Sequence, residues 1–251
     1  MRTDILDLHA FYETALGATA QGFIASRLAA AWGAAKAQRV AGFGFAAPYL
    51  GAFPDAERTL ALAPDAQGVI AWPNGARNRA GLVEENRWPL PDSSIDRLLI
   101  VHGLEEASDP RRLMREAWRV LTNDGRLMIV VAHRRGLWSV IDTTPFAAGR
   151  PYLKRQLFGL LENAMFKPES LKGALYFPPF GARFLLRAAS AWERAGARVW
   201  PGLGGVLMVE ATKELLAPVV QVQRSRQRAL RPSAPKPAAA TRARVERASS
   251  P

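Results

Sequence analysis

The feature that most constrains the fold is a pair of near-continuous apolar runs separated by one amphipathic helix. The runs are residues 97–101, within a predicted strand at 95–101, and residues 127–131, and neither shows regular alternation of apolar and polar positions. Strands of this kind are covered on both faces, as in a parallel sheet. Between them, Asp109-Pro110 is typical of a helix start. The stripe that this helix buries is Leu113, Met114, Ala117, Val120 and Leu121. Strand, helix and strand in this order predict a βαβ unit and an α/β fold.

The chain before this unit predicts further elements of the same kind. Residues 4–36 show helical spacing of apolar positions, and Gly17 and Gly22 predict a break into two helices. Short apolar runs predict strands at 39–44, 59–63 and 80–84. After His133 the pattern predicts a helix over 150–166, a strand at 175–177, a helix over 182–195 and a final strand at 205–211. The expected architecture is therefore a mostly parallel seven-stranded sheet with helices on both faces.

Length and charge divide the chain into three parts. We expect an N-terminal helical segment at 1–36, an α/β domain at 37–215 and a tail at 216–251. The net charge is +12, and residues 224–251 carry eight basic residues and one acidic residue, with prolines and alanines that offer little to bury. Such a tail is expected to be disordered. It is either a solvated segment or one that contacts nucleic acid or an anionic surface.

Composition excludes several classes of site. The chain has no cysteine and three widely spaced histidines, so we expect no disulfide, no thiolate nucleophile and no metal site. No apolar run is long enough to span a bilayer, and the first residues lack the apolar region of a signal peptide. The chain is therefore predicted to be cytoplasmic.

The expected ligand site lies beyond the carboxyl ends of the strands, where the strand order reverses. Gly42-Phe43-Gly44 supplies a tight turn after the first strand, because a residue without Cβ turns sharply and approaches a ligand closely. His102 follows the fourth strand and either contacts the ligand or is an ordinary residue of that segment. Glu105-Glu106 are either acidic site residues or acids that complement a helix dipole. His133-Arg134-Arg135 either face an anionic acceptor or form a solvated loop.

The central part of the chain resembles a known family. The segments that carry the resemblance are Leu90-Pro91-Asp92-Ser93-Ser94-Ile95-Asp96, His102-Gly103-Leu104-Glu105, Asp109-Pro110, Arg119-Val120-Leu121 and Gly125-Arg126-Leu127. In this order and spacing they resemble the type 11 class I methyltransferases that depend on S-adenosylmethionine. The resemblance covers about residues 37–135. It implies a Rossmann-like fold, a last strand that runs antiparallel, and S-adenosylmethionine as cofactor.

The resemblance also shows where this chain departs from the family. Gly42 stands where members carry an acid that helps to hold the methionyl end of the cofactor, and Gly44 stands at the first glycine of the turn. Ala63 lies at about the position where family members carry an acid that binds the ribose. Glu84 is the counterpart of the acid that members carry near the adenine. Each lost hydrogen bond to a charged group costs roughly 1.5–3 kcal/mol, so two losses weaken binding by about two orders of magnitude or more.

The residues predicted to contact the cofactor are therefore Gly42, Gly44, Glu84 and His102, and the sequence assigns no catalytic residue. Trp72 and Trp88 are candidates to stack on the adenine, or else ordinary core or surface aromatics. Three functions stay open at this point. The first is methyl transfer to an unknown acceptor, and the second is an inactive methyltransferase fold that binds a partner protein. The third is NAD binding, since Gly42-x-Gly44-x-x-Ala47 followed by Asp65 satisfies the dinucleotide pattern.

Overall fold

The computed structural model describes residues 3–215 and builds them around one sheet. Its strands are β1 (Arg39–Gly44), β2 (Arg58–Pro64), β3 (Ala80–Val83), β4 (Ile95–Val101), β5 (Leu121–Ala132), β6 (Phe166–Ala174) and β7 (Val206–Lys213). The helices are α1 (Ile5–Glu13), α2 (Ala15–Trp32), α3 (Ala47–Leu50), α4 (Pro110–Val120), α5 (Lys154–Asn163) and α6 (Arg183–Val199). The seven strands lie in the order β3-β2-β1-β4-β5-β7-β6. The predicted α/β class and Rossmann-like sheet are confirmed.

Strand direction follows the expected pattern. β1 pairs in parallel with β2 on one side and with β4 on the other, and β2–β3 and β4–β5 are also parallel. β7 is antiparallel to both β5 and β6. Because β1 is followed in sequence by β2 on one side while β4 lies on the other, the strand order reverses between β1 and β4. The carboxyl ends of these two strands therefore border the crevice in which open α/β sheets bind ligands.

Helices cover both faces of the sheet and bury two apolar clusters. One cluster joins α1, α2 and α3 to the sheet through residues such as Leu8, Ile24 and Leu50. The other joins α4 and α5 to the opposite face through residues such as Leu113 and Leu157. The helical segment predicted at 1–36 thus contributes directly to the core of the sheet domain. The three-part division itself stays a prediction.

The start of helix α4 could be predicted from the sequence because its cap is formed by neighbouring residues. The carboxylate of Asp109 accepts hydrogen bonds from the backbone N–H groups of Arg111 and Arg112, both at 3.0 Å, and Pro110 occupies the first helical position. This is the expected N-terminal cap. Farther along the helix, the Arg119 guanidinium bonds to the carbonyl oxygens of Leu90 and Trp88. The family-like segment before β4 is therefore tied to α4.

The structure differs from the sequence prediction at the break between α1 and α2 and at the strand predicted for 175–177. The break between α1 and α2 lies at Thr14, whose hydroxyl accepts from the N–H of Gly17, so Gly17 is in the first turn of α2 and Gly22 is inside it. The strand predicted at 175–177 is wrong, because β6 ends at Ala174 and Leu175 has a left-handed backbone with φ 62°. β6 is an edge strand whose polar residues hide the usual apolar pattern.

The predicted basic tail, 216–251, lies outside the described residues. Within residues 3–215, no helix is both long and apolar enough to cross a membrane.

Candidate functional site

The turn after β1 meets the end of β4 at very short range. The N–H of Phe45 donates to the carbonyl oxygen of Val101 over 2.8 Å, and Gly44 has a left-handed backbone with φ 77°. A Cβ on Gly44 would clash with the Val101 oxygen and lie 2.9 Å from Cα of Gly103. Only glycine fits here, both in conformation and in space. The two segments that the sequence predicts to share a crevice do lie together.

Gly42 leaves no room for the acid that the family carries at this position. A Cβ on Gly42 would lie 2.5 Å from the Cβ of Ala46 and 3.3 Å from Cδ1 of Leu50. Ala46 stands where the family has the second glycine of the turn. The extra methyl group of Ala46 thus takes the space that a side chain on Gly42 needs. The two departures from the motif belong together.

A chain of hydrogen bonds closes the crevice above this turn. The Tyr12 hydroxyl lies 2.8 Å from Nε2 of His102, and the Tyr49 hydroxyl donates to the Tyr12 oxygen over 3.3 Å. Burial lowers the pKa of His102 to about 4, so its imidazole is neutral at physiological pH. Burial also raises the pKa of Tyr12 well above its ordinary value. Tyr12 therefore donates to a neutral His102, and the crevice holds neutral groups at this point.

Aromatic rings fill the same space. The ring of Tyr12 stacks on that of Phe45, with centroids 5.1 Å apart and an interplanar angle of 22°. The ring centroids of Phe146 and His102 lie 4.8 Å apart. Tyr12 and His102 are each 6% exposed and Phe45 is 4% exposed. Side chains from α1 and the β1 turn thus occupy the mouth of the switch point between β1 and β4.

Glu105 is a buried acid behind these rings. Its Oε1 accepts from the N–H of Ala132 at 2.8 Å, and its Oε2 has no hydrogen-bond partner. Burial raises the pKa of Glu105 to about 7, and burial together with this carboxyl raises the pKa of Tyr152 to about 12. Glu106 instead accepts from the N–H of Thr3. α4 begins at Pro110, so neither acid lies in its first turn, and burial of Glu105 was not readable from the sequence.

A small cavity lies beside the β1 turn. It measures about 120 Å³ and is lined by Gly44, Ala63 and Trp72 among other, mostly apolar, residues. Of the two candidate tryptophans, Trp72 is therefore beside the turn. Trp88 packs on Phe43 at a centroid distance of 4.9 Å in the core of the opposite face.

Glu84 lies elsewhere. It lines a surface groove together with Arg87, Arg112 and Arg115, and it does not line the cavity beside Gly44. Asp65, the other candidate acid near β2, accepts from the N–H of Ala66. Of the predicted contacts, Gly44 lines this cavity; Gly42 lies in β1 and His102 directly follows β4, beside the cavity but outside its lining, and Glu84 lines the separate surface groove.

The residues present do not fit S-adenosylmethionine in the way the family binds it. The position of the first acid is closed by Ala46, and Ala63 at the ribose position is buried and apolar. The Tyr12 ring stacks on that of Phe45, the residue that follows Gly44 in the turn. A cofactor with a charged methionyl end would have to displace these rings and would meet neutral groups beneath them.

Comparisons with known proteins agree with the fold. The sequence family described as a methyltransferase domain matches residues 41–129. A methyltransferase of Thermotoga maritima, described as a possible histamine N-methyltransferase, is 20% identical with a TM-score of 0.52, over 82% of this chain and 91% of that one. A SAM-dependent methyltransferase of Archaeoglobus fulgidus is 15% identical with a TM-score of 0.54, over 77% and 94%.

A third similar structure is the [4+2]-cyclase SpnF, at 21% identity and a TM-score of 0.53, over 76% of this chain and 80% of that one. No curated protein matches the sequence. Identities at this level establish the fold alone, and the family match is confined to the central segment. Residues 41–129 therefore match the methyltransferase-domain family, and residues 3–215 have the fold of class I methyltransferases.

Proposed function

We propose that this chain is a methyltransferase-fold binding protein that does not transfer methyl groups from S-adenosylmethionine. The observation that carries the proposal is the filled crevice. Tyr12, Phe45 and His102 occupy the switch point between β1 and β4, and all three are buried. Function on such folds depends on the site and not on the architecture. A site that lacks the family's first two acids and whose crevice is filled by buried rings supports binding of a partner over turnover of this cofactor.

The electrostatics of the crevice support the same proposal. S-adenosylmethionine carries a sulfonium and an ammonium group, which acidic side chains stabilise. Here the acid position is Gly42, and His102 and Tyr12 stay neutral. The nearby acid, Glu105, bonds to the backbone of β5, and burial raises its pKa to about 7. The crevice therefore offers little compensation for the positive charge of the cofactor.

Methyl transfer to an unknown acceptor is the second candidate, and one observation favours it. The approach of Gly44 to Val101 and Gly103 retains the glycine turn of the family, and the cavity lined by Ala63 and Trp72 adjoins it. Methyl transfer depends mainly on alignment of the reacting groups, so a missing general base does not argue against it. This candidate requires α1 to leave the crevice.

A thermal-shift series on the full chain separates these functions. We expect no rise in melting temperature with S-adenosylmethionine or S-adenosylhomocysteine, because the rings occupy the crevice. A rise with both compounds, together with a methylated product, would establish the second candidate. A rise with NAD alone would establish NAD binding, the third function. The acid that this function requires is Asp65, whose carboxylate is exposed.

Other assignments from the sequence stay predictions. These are the cytoplasmic location, an unidentified protein partner, and contact of the basic tail with nucleic acid or an anionic surface. Retention of the full chain and of a chain ending at residue 215 on nucleic acid at two salt concentrations would test the last of them, since electrostatic retention falls with salt.

A further inference from the structure

A large groove lies away from the crevice, at the β6 edge of the sheet. It measures about 1040 Å³ and is bordered by α5, by β6 and by the segment that follows α6. None of its lining residues lines the cavity beside Gly44. Its apolar lining is Leu153, Phe158, Leu171, Tyr176 and Leu207. The groove is thus a separate concave surface with an apolar lining.

Cations surround this apolar lining. Arg27, Arg135, Lys154, Arg155 and Lys172 line the groove, and Glu162 is the acid among its lining residues. Arg27 is neutralised by Glu193, with 2.9 Å between Nη2 and Oε2. Within residues 3–215 the other four form no ion pair, and Lys154 lies 5.2 Å from the ring centroid of Phe158. These four cations face one acid in the lining, Glu162, so the groove has a surplus of positive charge.

His133 does not add to this charge. It is buried, and burial lowers the pKa of its imidazole. Its Nδ1 lies 3.0 Å from the carbonyl oxygen of Gly204, so Nδ1 carries the hydrogen and Nε2 has none. The sequence left open whether His133-Arg134-Arg135 face an anionic acceptor. In the structure both Arg135 and His133 line the groove, and His133 is an uncharged part of this lining.

We propose that this groove binds a single-chain anionic amphiphile, with its carboxylate head among the cations and its aliphatic chain on the apolar lining. The surplus of charge selects an anionic head, because Arg135, Lys154, Arg155 and Lys172 are exposed cations that have, among the described residues, no ion-pair partner that an anion would have to displace. The lining formed by Leu153, Phe158, Leu171 and Leu207 selects a chain over a compact anion such as acetate. The concavity favours a ligand that inserts over a flat bilayer surface.

Calorimetric titration of the full chain with dodecanoate below its micelle concentration tests the proposal. We expect saturable binding, affinity that falls about two- to fourfold for each methylene removed from the chain, and no saturation with dodecanol or acetate. Lys172→Glu should weaken dodecanoate binding at least about tenfold. Lys36→Glu, an equal charge change at an exposed turn outside the groove, should leave it unchanged.

Three results would overturn the proposal. Equal binding of dodecanol and dodecanoate would show that the cations do not select the head group. Equal effects of Lys172→Glu and Lys36→Glu on dodecanoate binding would show that the ligand does not bind in the groove. Sedimentation with vesicles of anionic phospholipid, without binding of free dodecanoate, would assign these cations to a membrane surface. Far-ultraviolet circular dichroism of both variants confirms that each remains folded.

Discussion

The hydroxyl of Tyr12 in the first helix lies 2.8 Å from Nε2 of His102, 90 residues farther along the chain. This bond joins α1 to the end of β4 and lies above the glycine turn of β1. Tyr49 extends it by donating to the Tyr12 oxygen. Burial lowers the pKa of His102 to about 4 and keeps its imidazole neutral, so Nε2 can accept a hydrogen bond from the Tyr12 hydroxyl. The N-terminal helix is thereby fastened over the place where the fold normally receives its ligand.

Removal of this hydroxyl tests how firmly α1 is held. Tyr12→Phe leaves Nε2 of His102 and the Tyr49 hydroxyl buried without their partner, so the free energy of unfolding should fall by about 1–3 kcal/mol. Urea titration measures the loss. Tyr176→Phe is the matched control, because its hydroxyl bonds to Pro201 at a less buried position and should cost less. Equal losses in the two variants would contradict the role given to Tyr12.

Two glycine substitutions test the turn after β1. Gly44→Ala forces a side chain into a left-handed conformation and against the Val101 carbonyl, so it should cost more than about 1 kcal/mol. Gly22→Ala changes a helical, exposed glycine with open space around it and should gain up to about 1 kcal/mol. Melting temperatures of the two variants should therefore move in opposite directions. A Gly44→Ala protein as stable as the wild type would show that the turn is not built as described.

The buried acid Glu105 makes stability depend on pH. Its pKa is about 7 in the fold and about 4.5 in the unfolded chain, so the folded state holds a proton that the unfolded state releases between these values. The stabilisation from Glu105 is complete below pH 4.5 and is lost as the pH rises to about 7. The difference amounts to about 3 kcal/mol.

Glu105→Gln isolates this contribution. The variant should match the wild type near pH 4.5 and exceed its stability by up to about 3 kcal/mol at pH 8, because glutamine carries no charge to bury. His102 acts in the opposite direction in both proteins, since its pKa is lowered to about 4 and stability is lost as the pH falls below about 6.5. Urea unfolding at several pH values gives the comparison. A difference between the two proteins that does not change with pH would contradict the burial of Glu105.

Gly42→Asp tests whether the missing acid alone explains the altered crevice. The new side chain would meet the Cβ of Ala46, so the single substitution should lower stability and should not create cofactor binding. Adding Ala46→Gly removes the obstructing methyl group and should recover part of that stability. If Gly42→Asp alone restores binding of S-adenosylhomocysteine, the space at Gly42 has been misjudged.

Much of the fold was predictable because it depends on local patterns. β4 has the predicted bounds, 95–101, since its last four residues form a continuous apolar run, as expected of a strand covered on both faces. Asp109 caps α4 as expected because the cap is a contact between near neighbours. β6 was misplaced, since an edge strand such as Phe166–Ala174 carries polar residues and a proline without losing its pairing to β7.

The crevice was only partly predictable. The glycine turn and the loop after β4 were expected to meet, because strands in this order bring their carboxyl ends together. The plug formed by Tyr12 was not, since nothing in a helical pattern tells which buried aromatic reaches a site 90 residues away. The same applies to Glu105, whose burial depends on the backbone of β5.

The measurement that bears most directly on the account is a calorimetric titration of the full-length wild-type chain with S-adenosylmethionine. The filled crevice predicts a dissociation constant weaker than micromolar, because binding must displace the Tyr12 ring and places a charged ligand on neutral groups. A submicromolar dissociation constant, with transfer of the methyl group to an acceptor, would contradict it.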